Sequence, residues 1–227
     1  MHKIVVVIGL FVCSNLNGQH YLKDARSPAQ KEDPYNSYQS DFISKTDLLK
    51  ALELAGVQVF KFPLASFAKE YKLSVTVDEY VDGKKGRSID LYAIGKNTYT
   101  YFKDSSLDIH HGLFTDFIDQ LTFLSRNEND SSIILALTTY AGSDRIRLAK
   151  RQTRKFQYYN WRRFSKTDWV LNRETPLLVC ASSWYDPKNN VERFCGVVDL
   201  SRDEKETRKL LSASPHYYLI SYKVSEK

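Results

Sequence analysis

Asp82-Gly83 is the step that most narrows what this 227-residue chain can fold into. An Asp-Gly pair opens a turn, and strands joined by a short turn run antiparallel. Leu73-Ser74-Val75-Thr76-Val77 alternates before it, and Ile89 to Ile94 follows as a second strand. Gly95-Lys96-Asn97 then turns into Thr98-Tyr99-Thr100-Tyr101-Phe102, rich in β-formers. A meander is therefore predicted. Val57 to Phe62, Ile133 to Thr139 and Tyr217 to Val224 read as further strands.

Helical signals interrupt this series. Ser44 and Asp47 have the spacing of a capping box, Leu48, Leu49, Leu52 and Ala55 follow as a stripe, and Gly56 closes it. Ala65 to Tyr71 is expected as a short helix and Ser201 to Ser212 as a polar one. The clearest helical period is Leu113, Phe114, Phe117, Ile118, Leu121 and Leu124, with Asp116, Asp119 and Gln120 opposite. Strands on short turns with a few helices imply α+β: a mostly antiparallel sheet with a few packed helices, one domain over residues 46–227. Bulk disorder is excluded by 42% hydrophobic and 13% aromatic residues. Residues 19–45, polar and holding Pro28 and Pro34, read as a flexible arm.

The first eighteen residues concern location. A basic start at Met1-His2-Lys3, an apolar run from Ile4 to Val12 and a small, polar exit to Gly18 have the layout of a signal peptide, residues 1–18. The run is too short to span a bilayer as a helix. Cleavage after Gly18 leaves Gln19 as the new terminus; cleavage after Ser14 is the alternative. Leu10-Phe11-Val12-Cys13 also has the leucine and cysteine of a lipobox, so a lipid anchor at Cys13 stands beside soluble export. The expected address is periplasmic or secreted.

Export leaves Cys180 and Cys195, and in an oxidising compartment such a pair favours a disulfide over free thiols. Leu177 to Ala181 and Val191 to Val198 read as strands flanking Asp186-Pro187-Lys188-Asn189, a type I turn sequence. The midpoint of 180 and 195 falls at that turn, which sets the two sulfurs across the hairpin from each other. A reactive cysteine needs a partner histidine, a lowered pKa or a CxxC spacing, and none is evident.

Arg145 to Lys166 is the strongest local anomaly. Arg145, Arg147, Lys150, Arg151, Arg154, Lys155, Arg162, Arg163 and Lys166 occur without one acid, interleaved with Phe156, Tyr158, Tyr159, Trp161 and Phe164. Such a mixture suits anionic ligands. Arg151, Arg154, Lys155, Trp161, Arg162 and Arg163 are the candidate binding residues. Their expected partners are an anionic glycan, a lipid head group or a protein, since export argues against nucleic acid. The bland alternative is a solvated face with its aromatics in the core.

Catalytic signals are sparse. Adjacent His110 and His111 point to different sides, so no metal site is expected, and no cofactor fingerprint is present. Asp78, Glu79, Asp82 and Asp90 crowd the first meander turn, where acids are usually solvent contacts. The leader, Gln19 at the new terminus and the tyrosine-rich body resemble exported, periplasmic proteins of Gram-negative bacteria, a general likeness that implies no activity. The reading favoured is an exported, non-catalytic binding domain. The competing one is a polysaccharide or cell-wall hydrolase using a carboxylate pair.

Overall fold

The computed structural model describes residues 44–102, 113–194, 196, 199–201 and 205–227. The expected signal peptide, Cys13, the arm up to residue 43, His110, His111 and Cys195 lie outside the described residues. The chain divides into two units, Met1–Ala55 and Gly56–Lys227. The first contributes helix α1 (Lys45–Leu54), which begins with the predicted capping box: the Ser44 hydroxyl accepts from the Asp47 N–H, and the Asp47 carboxylate accepts from the Ser44 N–H. None of its residues is buried. Among the described residues no helix is long and apolar enough to cross a membrane.

The second unit is a β-sandwich. Its strands are β1 (Gln58–Pro63), β2 (Lys72–Val81), β3 (Lys84–Ile94), β4 (Thr98–Phe102), β5 (Leu113–Phe117), β6 (Gln120–Asn129), β7 (Ser132–Thr139), β8 (Gly142–Ala149), β9 (Tyr159–Phe164), β10 (Glu174–Ser182), β11 (Trp184–Asp186), β12 (Val191–Arg193) and β13 (Asp199–Leu200); helix α2 (Lys205–Ala213) and β14 (His216–Ser225) close it. One sheet runs β1-β6-β7-β8, the other β13-β9-β10-β14-β2-β3, with β4-β5 and β11-β12 as separate hairpins. All of these pairings are antiparallel except β13 with β9.

Alternation builds the core between the two main sheets. Phe62, Leu121, Phe123, Leu135, Leu137 and Leu148 point in from the four-stranded sheet, and Leu73, Val75, Val77, Leu178, Tyr218, Ile220 and Tyr222 from the six-stranded one. β10 is buried along nearly its whole length because both of its faces are covered. Leu178 and Cys180 face the main core, while Val179 and Ala181 join Phe164, Leu200, Leu210 and Tyr217 in a second core on the far face. Leu210 brings α2 into that second core.

The α+β expectation with packed helices is thus corrected to an all-β sandwich. Residues 113–124, expected to be a helix, form β5 and β6, split at Ile118-Asp119. In β6 the true period is two: Leu121, Phe123 and Ser125 are buried, while Thr122 and Leu124 are only partly so. Two short strands set end to end mimic a one-face helical spacing, and pairing with β1 and β7 decides between them. The short helix expected over Ala65 to Tyr71 is not formed either. Asp82-Gly83 makes the predicted turn, with φ of 49° and 74° and Val81 paired to Lys84.

The expected hairpin across Cys180 and Cys195 also changes. Asp186 pairs with Val191 and Trp184 with Arg193, so the turn is centred one residue later than the sequence suggests. β10 lies outside this hairpin, and Cys180 is flanked by Trp161 of β9 and Tyr218 of β14. It is a buried free thiol.

Candidate functional site

The basic-aromatic run does not form one surface. Its candidate residues are drawn to partners on other elements, which sequence spacing does not reveal. Arg151, just past β8, reaches Glu79 of β2 with Nε 2.9 Å from Oε1. Arg154 Nε lies 2.8 Å from Glu192 Oε1, and its guanidinium sits over the Tyr185 ring. Arg163 lies 3.6 Å from Asp199 and over the ring of Phe62. Arg162 lies over Phe194 at 4.6 Å and donates to the Trp161 carbonyl. Lys155 is exposed over the exposed Phe156 ring. Trp161 is in the main core, tilted against Phe60.

Arg151 completes a buried polar network. The carboxylate oxygen of Glu79 that meets Arg151 is also 3.1 Å from His216 Nε2 and 3.4 Å from the Tyr218 hydroxyl. His216 Nδ1 is 2.6 Å from the Tyr159 hydroxyl, which accepts the Arg151 N–H. Register explains the meeting: Tyr218 stands opposite Glu79, and His216 is two residues along on the same face. One proton arrangement uses every group: Nε2–H donates to Glu79, and the Tyr159 hydroxyl donates to Nδ1. The imidazole is then neutral. Burial lowers the His216 pKa, and nearby Arg151 adds to this, against the raising effect of Glu79. Burial opposes the Glu79 charge, but hydrogen bonds from Arg151 and His216 outweigh it and hold its pKa below the usual range. Burial pushes the Tyr159 phenol up, which favours its protonated form. The network joins β2, β9, β14 and the segment after β8. Its chemistry is that of a clamp.

Two other residues of the basic run behave differently. Arg145 and Arg147 lie on β8 and point away from the main core, since Ile146 and Leu148 point in. Across the four-stranded sheet the register aligns Arg126, Ile134 and Arg147 in one row, and Val59, Leu124, Ala136 and Arg145 in the next. Lys61, Thr122, Thr138 and Ser143 make a third. This outer face holds the exposed cations Lys61, Arg126, Arg145 and Arg147 around half-buried Leu124, Ile134 and Ala136. Glu128 is the acid beside it, paired with Arg147 at 2.6 Å. Arg126 and Arg147 stand two strands apart, about 10 Å by standard sheet spacing.

A family model described as a domain of unknown function (DUF5041) matches residues 28–226. The chain belongs to the DUF5041 family. No curated protein and no solved structure matches it. In this DUF5041 chain the family match spans both main sheets, so the clamp and the cationic face both fall inside the family's domain.

Among the described residues no three His, Cys, Asp or Glu side chains are grouped to hold a metal. Of the acids around the first meander turn, Asp78 pairs with Lys85 at 2.7 Å and accepts from Ser88, Glu79 belongs to the clamp, and Asp82 and Asp90 are exposed. The residues that sequence reasoning missed are Arg126 and Lys61, which lie far from the basic run in sequence. The signal that finds them is the period-two pattern of β1 and β6, read together with β8.

Proposed function

We propose that this chain is an exported, non-catalytic binding domain that takes an anionic glycan on the outer face of the four-stranded sheet. The observation that carries this reading is the charge of that face: Lys61, Arg126, Arg145 and Arg147 are all exposed on it, with Glu128 the acid paired there among the described residues. A sheet face presents its cations at fixed intervals, which suits a polymer with repeated charges. The leader-like first eighteen residues support an address in the periplasm or outside the cell, where acidic glycans are met. Asp78 and Glu79, the buried carboxylates near the first meander turn, are tied to Lys85 and Arg151, which speaks against these two serving as the pair a hydrolase needs.

Binding to polygalacturonate, with neutral dextran as control, tests the reading. The expected result is retention on the polyanion that weakens with salt and drops roughly tenfold or more in Lys61→Ala/Arg126→Ala/Arg145→Ala, while dextran is ignored. Equal binding by the variant moves the ligand off this face. Release of new reducing ends from either polymer overturns the non-catalytic assignment.

A further inference from the structure

A second surface has the opposite electrostatics. A cavity of about 250 Å³ lies where the β1–β2 connection meets the β4–β5 hairpin and the turn into β6, lined by Phe67, Tyr99, Phe117, Asp116, Asp119 and Ser66, among others. Its frame is fixed. The Leu64 N–H donates to the Asp119 carbonyl at 2.7 Å, and the Ile118 N–H to the Asn97 carbonyl at 2.9 Å. Phe67 is stacked on Trp169 at 5.2 Å and tilted against Phe117 at 5.8 Å, so the inner wall is backed by packed rings. Tyr99 stands opposite Asp116 across the hairpin, and Tyr140 from the β7–β8 turn stacks on Tyr99 at 5.0 Å.

The lining is one-sided in chemistry. It offers two carboxylates, the hydroxyls of Ser66 and Tyr99 and aromatic rings, and none of its residues is basic. Both carboxylates act on Tyr99, whose phenol pKa is raised first by burial and then by the charges of Asp116 and Asp119. Asp116 accepts one long hydrogen bond, 3.4 Å, from Tyr101, and neither acid has an ion-pair partner among the described residues. A neutral sugar would meet rings and acceptors but leave two like charges uncompensated. An organic cation uses every feature: its charge offsets the carboxylates, its N–H groups donate to them, and ring faces attract it. The volume suits a side-chain-sized group and falls below that of drug-sized sites.

We propose that this cavity binds an organic cation, a primary ammonium or guanidinium group presented by a small amine or by a partner's lysine or arginine side chain. The site is separate from the cationic sheet face, and neither depends on the other.

Amide NMR titration of the whole protein with butylammonium and methylguanidinium chloride, against methyl glucoside and butyrate, tests it. Both cations should shift amides of residues 64–67, 99 and 116–119, and the sugar and the carboxylate should not. Asp116→Asn/Asp119→Asn, at exposed positions, should keep its dispersed spectrum and bind at least about tenfold more loosely. If that variant fails to fold, the salt dependence of the wild-type protein decides: affinity falling several-fold with added sodium chloride supports the assignment. Methyl glucoside shifting the same amides as strongly as the cations makes this a sugar site and overturns the proposal. Absence of shifts with either cation, or salt-independent binding, overturns it as well.

Discussion

His216 Nε2 lies 3.1 Å from Glu79 Oε1, and the histidine side chain is 2% exposed. A neutral imidazole is therefore held against a carboxylate inside the sandwich. The folded-state pKa of His216 lies below its ordinary 6.5, so the unfolded chain binds the proton more readily. The stability due to the neutral ring is full above pH 6.5 and is lost as pH falls through that value toward the folded pKa. Glu79 is shifted below 4.5, so it stays ionised through the upper part of this window. Denaturant midpoints measured between pH 7.5 and pH 5 should fall for the wild type, by at most about 1.4 kcal/mol per pH unit from this group. They should fall less steeply for His216→Gln. Parallel slopes would assign the acid sensitivity elsewhere.

Removing Arg151 leaves the Glu79 carboxylate inside the fold with weaker compensation. A fully buried pair broken on one side costs about 3–5 kcal/mol, but the Arg151 side chain is 56% exposed and water screens part of the loss. Arg151→Ala should therefore cost about 1–2 kcal/mol at neutral pH. Much of that should vanish in the Glu79→Gln background. Urea unfolding of the four proteins in a double-mutant cycle gives the coupling, and a coupling near zero would show that the pair does not clamp the strands.

Gly83 has φ of 74°, and a Cβ built there meets no atom within 4 Å. Gly83→Ala consequently isolates backbone strain from steric clash. The substitution should cost about 1 kcal/mol with the β2–β3 register unchanged. Thermal unfolding measures the cost. A neutral effect would mean that the turn relaxes to another type.

Cys180 is buried and its thiol pKa is pushed up by that burial. Alkylation resolved by peptide mass spectrometry should leave it unmodified in the native protein and modify it in denaturant without any reductant. Modification only after reduction would restore the bridge to Cys195 that the sequence suggests.

Local chemistry was readable wherever neighbours in sequence decide the conformation. Ser44 and Asp47 announce the start of α1, Asp82-Gly83 announces its hairpin, and the runs from Ile133 and Tyr217 become β7 and β14. What failed depended on partners far along the chain. Residues 113–124 satisfy a helical period until β1 and β7 claim β6. Arg151, Arg154 and Arg163 look like a free cationic run until Glu79, Glu192 and Asp199 are brought to them. Glu79 and His216 lie 137 positions apart, and only the β2–β14 register brings them together.

The double-sided burial of β10 has a bearing on misfolding. Most strands of a sandwich resist slipping because a one-residue shift would turn polar groups inward. Leu177-Leu178-Val179-Cys180-Ala181 is apolar on both sides, so its own pattern scarcely penalises such an error. The irregularity between Pro176 and Leu178, where proline has no N–H to give the ladder, supplies a fixed origin from which the pairing with β14 is counted. The segment that unites the two cores therefore takes its alignment from a defect at one end, and chains misaligned there would bury the same apolar surface in the wrong order.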